Sequence, residues 1–264
     1  MNSTTLAKRI ACVGSGGVAS SLLPALCGAG YCIVQVCSRR LESAQRLANV
    51  VGAAACSNLS ELDRNADMYI IAVPDSEIEN VLRSANFGSG LAAHTSGSTP
   101  MSVFEKYNVQ RYGVLYPLQT FSRGRVVSFA NVPLLVEGNS AHDTEELMRM
   151  ARSLSENVQQ ASSEKRMMLH VAAVFACNFS NHLLAISAQL TRESELEFDL
   201  LKPLIRETFE KVLSAENPAE VQTGPAVRGD VNTVQKHLAA LEKYPLQQQI
   251  YRLISENITM NNGQ

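Results

Sequence analysis

Hydrophobic positions along this chain follow two regimes. Up to about residue 160, short continuous apolar runs alternate with stretches of helical spacing. Runs at 10–13, 33–37, 69–73 and 91–95 each read as a strand, and each stops at glycine, proline, serine or a charged turn. Further runs at 112–116, 132–136 and 158–161 extend the series, with 143–154 as the helix between the last two. Strands that are apolar throughout, rather than alternating, belong to a parallel sheet covered on both faces. Helix-start signals agree. Ser76 with Glu79, and Asn58 with Glu61, have the spacing of a capping box, and Thr99 precedes Pro100 at a first helical position. From residue 161 the strand pattern ends. Residues 164–190 hold no proline or glycine and predict one long helix; 193–215, interrupted near its start by Pro203, predict a second. Residues 230–243 and 245–257 predict two more. The fold class expected is α/β, a Rossmann doubly wound, mostly parallel sheet over 1–160, followed by an all-α domain over 161–264. No repeat or low-complexity linker separates the two, so they are expected to pack together.

Composition narrows the function without naming it. A chain of 264 residues with 45% hydrophobic content suits about two domains and a full core. A net charge of −2 lacks the basic footprint that a nucleic-acid binder needs. No run of about 18 apolar residues is seen, so no membrane span is expected. Lys8 and Arg9 before an apolar stretch imitate the start of a signal peptide, but glycines at 14, 16 and 17 break it too early. The six cysteines are scattered with no CxxC pair. That pattern fits reduced thiols in a cytoplasmic protein, and no metal site is expected.

The first strand runs straight into Gly14-Ser15-Gly16-Gly17-Val18-Ala19, which reads G-x-G-x-x-A, with 20–27 continuing as a helix. Gly14 permits the tight turn, Gly16 lets the backbone approach a pyrophosphate, and small Ala19 lets helix and strand pack closely. The helix N-terminus then offers free N–H donors to the diphosphate. A lone string of this kind is weak evidence; a strand before it and a helix after it make it a dinucleotide site. The second strand ends in Cys37-Ser38-Arg39-Arg40, with no acid until Glu42. An NAD site places a carboxylate there, whereas serine beside arginine suits a 2′-phosphate. NADP is therefore the expected cofactor.

Other polar groups collect where strands end. Ala72-Val73-Pro74 closes the third strand on its carboxyl side, where open α/β sheets bind ligands, and would wall the nicotinamide side. His94-Thr95-Ser96-Gly97-Ser98 ends the next. Tyr116 to Ser122 follows another, with a phenol at Tyr116 and an amide at Gln119. In 167–177, ten of eleven residues are apolar, which predicts a helix buried nearly all round; His170 is the exception. On an ideal helix Asn181 returns to within about 20° of His170, and Asn178 to about 80°. Unpaired buried amides and imidazoles cost about 1–3 kcal/mol each, so this stripe needs partners. A substrate cleft, a core hydrogen-bond network and a dimer contact would each supply them. Arg228, in the glycine-rich turn 223–230, would suit an anionic substrate or a helix-capping turn, with Asp230 as the cap.

Taken together, the motifs GSGGVA (14–19), CSRR (37–40), AVPD (72–75), HTSGS (94–98), YPLQTFS (116–122) and GPAVRGD (224–230) resemble those of NADP oxidoreductase-like Rossmann proteins related to deazaflavin-dependent NADP oxidoreductase. The C-terminal half resembles the helical domains of that group, and is distantly similar to those of pyrroline-5-carboxylate reductase and 6-phosphogluconate dehydrogenase. The resemblance implies a cofactor site on the first domain, a cleft between domains and a homodimer built through the helical half. Related hydroxyacid dehydrogenases place a lysine and, four positions later, an asparagine on the interdomain helix. Here Lys165 is followed by Leu169, which argues against hydroxyacid oxidation. The activity expected is NADP(H)-dependent hydride transfer to or from a small carbonyl or imine. His170 is the first candidate for general acid, by its ordinary pKa of about 6.5, with His94 and Tyr116 next. Ser96, Gln119, Asn178, Asn181 and Arg228 would orient the substrate. The rival reading is a non-catalytic NADP(H)-binding sensor.

Overall fold

Every predicted β-run pairs into a single sheet, which also takes in one short strand that the pattern did not predict. The computed structural model describes residues 7–122, 124–125 and 127–261. Strand β1 (Arg9–Val13) leads into helix α1 (Gly17–Gly28), β2 (Cys32–Cys37) into α2 (Leu41–Val51), and β3 (Ala54–Cys56) follows. Then come β4 (Met68–Ile71), α3 (Asp75–Ser84), β5 (Leu91–His94), a 3-10 segment over Met101–Tyr107, β6 (Tyr112–Pro117), β7 (Leu134–Gly138), α4 (Ala141–Arg152) and β8 (Val158–Gln160). The sheet order is β3-β2-β1-β4-β5-β6-β7-β8, parallel except for the β6–β7 pair. It is the doubly wound sheet expected. The order in which strands are added reverses between β1 and β4, which run parallel, and this is the point where such sheets open a crevice.

Successive residues of β1 go to opposite faces: Ile10 and Cys12 join the core under α1, α2 and α4, while Ala11 and Val13 join the core under α3. That two-sided burial is why the strands carry no polar alternation. Cys12, Cys37 and Cys56 are packed in these cores, and burial raises all three thiols, Cys12 to about 12.

Several local expectations shift. β4 ends at Ile71, because Pro74 has no N–H to extend the ladder, and Ala72 N makes the last bond to Val13 O at 2.8 Å. β7 starts at Leu134, after Pro133, for the same reason. β3, three small residues, carries no pattern that sequence reading could catch. Ser76 does not cap α3; Pro74 occupies that position. Thr99-Pro100 opens a 3-10 segment rather than an α-helix. Asn58 and Asp230 do cap, accepting from Ser60 N and Thr233 N.

The described chain divides into two compact units, Met1–Asn178 and Phe179–Gln264. The boundary expected at 160/161 lies between β8 and α5 (Ser163–Ala173), yet α5 belongs with the sheet because a buried arginine, Arg166, ties it there. The single helix expected over 164–190 contains a π-segment, Val174–Phe179, before α6 (Ser180–Glu193). Pro203 interrupts nothing: the chain leaves the helix after Glu193, and Pro203 sits in the first turn of α7 (Lys202–Ser214), where its missing N–H has no helical partner to lose. The second unit continues with α8 (Val231–Ala240) and α9 (Pro245–Asn261).

The stretch 167–177 is not buried all round. Met168 is 67% exposed and Met167, Leu169 and Cys177 are exposed as well. By length and composition alone, Ser163–Glu193, 31 residues, is apolar enough to cross a membrane, a property that the count of consecutive apolar residues did not register.

Candidate active site

Along the carboxyl edge of the sheet runs a cleft of about 1130 Å³. Its floor is the turn after β1. Gly14 has φ +119°, and a Cβ there would lie 2.0 Å from the Ala72 carbonyl oxygen. Only glycine fits. Its N–H donates to Cys37 O at 2.8 Å, which ties the turn to β2, and Ser15 Oγ donates to Ser38 Oγ at 2.9 Å. At Gly16 a Cβ would meet nothing within 4 Å, so the backbone stands open to the cleft at the start of α1. α1 has no side-chain N-cap bond and no acidic residue in its first turn. Free amides at a helix start whose first turn carries no acid fit a dinucleotide pyrophosphate. Ala19 is fully buried and Val18 packs against the core, so these two shape the turn rather than line the cleft.

The rest of the lining brings together much of what the sequence pointed to and adds to it. Ser38, Arg39, Arg40, Ala72, Val73 and Pro74 all line the cleft. Arg39 is 80% exposed and reaches Glu77 Oε1 at 3.4 Å. Sequence reading missed Arg46, which also lines the cleft and donates to Ser43 Oγ at 3.0 Å. It sits seven residues beyond Arg39, two turns along α2, so helical spacing was the available signal. Arg125, beyond β6, is another cation on the lining without a sequence signal.

A second polar corner adjoins the cleft through the turn after β4. Pro74 lines the cleft, and the next residue, Asp75, accepts a short hydrogen bond from Ser98 Oγ. Beyond Ser98, Tyr116 OH and His170 Nδ1 are 2.9 Å apart, from the end of β6 and the last turn of α5, with their rings edge to face. Gly97 makes room for them: a Cβ there would lie 2.7 Å from His170 Nδ1 and 2.8 Å from Tyr116 Cζ. Burial raises the Tyr116 phenol, the Asp75 carboxylate adds to the rise, and the Arg166 cation opposes it.

Beneath this pair lies a buried ion pair that sequence reading passed over. Arg166 is 1% exposed; Nη1 donates to Glu137 Oε2 at 2.5 Å and Nη2 to Thr99 O at 2.7 Å. Glu137 also accepts from Ser163 N at 3.0 Å and Ser163 Oγ at 2.7 Å.

Other predicted site residues are placed elsewhere. His94 is fully buried and stacked on Phe104, with Nδ1 accepting from Ser96 N at 3.2 Å. Burial pushes it down to about 3, the Arg166 cation adding to this and Asp75 and the Pro100 carbonyl opposing it. A neutral, enclosed imidazole is not a general acid near neutral pH; its role is in the core. Ser96 Oγ accepts from Ser98 N and Thr99 N and donates to Thr99 Oγ1, so its capacity goes to the turn. Gln119 Oε1 accepts from Thr120 N at 2.8 Å on an exposed loop. Asn178 lies in the π-segment, and Asn181 and Arg228 belong to the second unit. The π-segment also removes the uniform helical spacing on which the expected stripe was reckoned. Among the described residues, one set of metal-ligand types lies close together: His142, Asp143 and Glu146, with ligand atoms within 4.8 Å of one another. Arg111 holds both carboxylates at 2.6 Å, so cations already occupy that charge.

Comparison with known proteins gives the family. Residues 9–94 match the family described as coenzyme F420-dependent NADP oxidoreductase, and 132–258 match a domain of unknown function, DUF2520. A Bacteroides fragilis protein provisionally named an NADP oxidoreductase is 41% identical, with 96% of this chain and 98% of that one covered, at a TM-score of 0.86. The chain belongs to this NADP oxidoreductase family. Likeness of fold alone extends to an imine reductase from Myxococcus stipitatus in complex with NADP+ (17% identity, 96% and 92% covered, TM-score 0.63). It extends likewise to a pyrroline-5-carboxylate reductase from Coxiella burnetii (15% identity, 95% and 98% covered, TM-score 0.56). No curated protein sequence matches.

Proposed function

We propose that the protein transfers hydride between NADP(H) and a small substrate carrying a C=O or C=N group, with the Tyr116–His170 pair supplying the proton. NADPH, when bound, supplies the hydride. Gly14 to Gly17 and the start of α1 would hold its pyrophosphate, and Ser38, Arg40 and Arg46 its 2′-phosphate. The observation that carries the reading is the 2.9 Å contact between Tyr116 OH and His170 Nδ1, at the same sheet edge as the glycine turn. Reduction of a polar double bond needs one proton for each hydride. A phenol bonded to an imidazole holds one where a partner can share the charge left behind.

The reading extends to the surroundings. Exposed Met168, Leu183, Leu204 and Leu253 support a homodimer through the helical region. A net charge of −2 supports neither a nucleic-acid nor an anionic-membrane partner. Six unpaired thiols support a reducing, cytoplasmic setting.

The test is NADPH consumption on a panel of aldehydes, 2-keto acids, cyclic imines and an oxidised deazaflavin. Turnover on one class is expected, and Tyr116→Phe should lower it about 100-fold with NADPH affinity unchanged. Tight NADPH binding with no turnover on any class would instead favour a sensor.

A further inference from the structure

We propose that Arg166 is a positioning residue that holds His170 in register with Tyr116, an assignment that rests on the proton-donor reading above. A guanidinium 1% exposed is costly to bury, and an apolar replacement of similar volume is often as stable or more so. Fold stability alone therefore leaves this ion pair unexplained. Its geometry supplies a reason. Glu137 on β7, the Thr99 carbonyl after β5 and Ser163 at the start of α5 all meet at Arg166. One helical turn later the same helix presents His170 to Tyr116. The tolerance there is small, since the space of an absent Gly97 Cβ is taken up by the His170 and Tyr116 rings. A small slide of α5 would either drive His170 into the Gly97 backbone or break the bond to Tyr116.

Charge acts in the same sense. The groups around the pair are Asp75 at the start of α3, His94 on β5, Glu137 on β7 and Arg166 on α5. His94 is neutral, and Asp75 raises the phenol while Arg166 lowers it. Removing the cation should therefore send the Tyr116 titration to higher pH.

The chain has no tryptophan, so phenolate absorbance near 295 nm can be followed directly, with Tyr116→Phe identifying the Tyr116 component. The same variant identifies the hydrogen-bonded His170 resonance in nitrogen-15 NMR. In Arg166→Met, with NADPH affinity as in the wild type, the Tyr116 component should move to higher pH and the hydrogen-bonded His170 signal should disappear. Arg166→Lys keeps the charge but not the two-pronged contact, so it should restore the titration and leave the His170 signal displaced. Should Arg166→Met fail to fold, Glu137→Gln, which frees the guanidinium, should displace the His170 signal in the same way. Both signals unchanged in a folded Arg166→Met, or in Glu137→Gln where that variant fails to fold, overturn the proposal and leave Arg166 as a structural ion pair. None of these readouts needs turnover. If Arg166 variants shift both signals while Tyr116→Phe still turns over normally, the proton-donor reading fails and the positioning role stands.

Discussion

The cofactor cleft and the Tyr116–His170 corner share one sheet edge but are built from opposite materials. The cleft uses backbone amides, glycines, hydroxyls and exposed cations, drawn mostly from the contiguous turn 13–17 and from the ends of β2 and β4. The corner uses a buried ion pair and two rings 54 residues apart in sequence. A site made of backbone is written locally, because a turn that tolerates only glycine leaves a motif. One made of long-range side-chain contacts leaves no local spacing to read.

The largest effect should come from breaking the cleft at its turn. Gly14→Ala forces a residue with a side chain to φ +119° and puts a Cβ into the Ala72 carbonyl. It should cost about 3 kcal/mol or more in urea unfolding. Gly16→Ala, where a Cβ meets no protein atom within 4 Å, should leave the unfolding midpoint unchanged yet weaken NADPH at least about tenfold by calorimetry. Equal stability losses in the two would show that both glycines serve the fold and neither the ligand.

Gly97→Ala makes the matching break in the corner. The added methyl displaces the His170 ring from Tyr116. Turnover should fall about 100-fold while NADPH affinity holds, the reverse of Gly16→Ala. Loss of affinity in Gly97→Ala would merge the two regions into one.

This contrast also explains what the sequence made legible. The mostly parallel sheet and the glycine turn followed from continuous apolar runs and glycine breaks, and β3 escaped because Ala54-Ala55-Cys56 is too short and too small to show a pattern. Tyr116 and His170 were recognisable as candidates, but not as partners. The reasoning from helical angles tied His170 to Asn181, and the π-segment that voids it has no signal in composition. Arg166 looked like one more charge beside an apolar run. Nothing near it in sequence tells that Glu137 and Thr99 enclose it.

His94 offers a smaller test inside the corner. Its folded pKa lies near 3, below the unfolded value of about 6.5, so between these two the unfolded chain binds a proton that the folded chain refuses. The stabilisation is complete above pH 6.5 and is lost as pH falls toward 3. Between pH 7 and pH 5 it should amount to about 2 kcal/mol. His94→Leu should flatten that part of the stability profile in urea titrations. An unchanged acid slope in the variant would place the proton uptake on another group.

The smallest effect concerns which arginine reads the cofactor. Arg39 and Arg40 stand where sequence patterns place a 2′-phosphate ligand, but Arg39 is 80% exposed and turned to Glu77 across the cleft mouth. Exposed pairs of this kind contribute little, so Arg39→Ser should change NADPH affinity less than about threefold. Arg46 lies on the lining and is held by Ser43, which pre-orients its guanidinium for a phosphate. Arg46→Ser and Arg40→Ser should each weaken NADPH about tenfold and leave NADH unchanged, because the interaction removed involves only the extra phosphate. The loss should shrink as salt is raised, since these cations are solvent-facing. Were Arg39→Ser the damaging variant instead, Arg39 would have to exchange Glu77 for the phosphate on binding, and Glu77→Gln would then tighten NADPH.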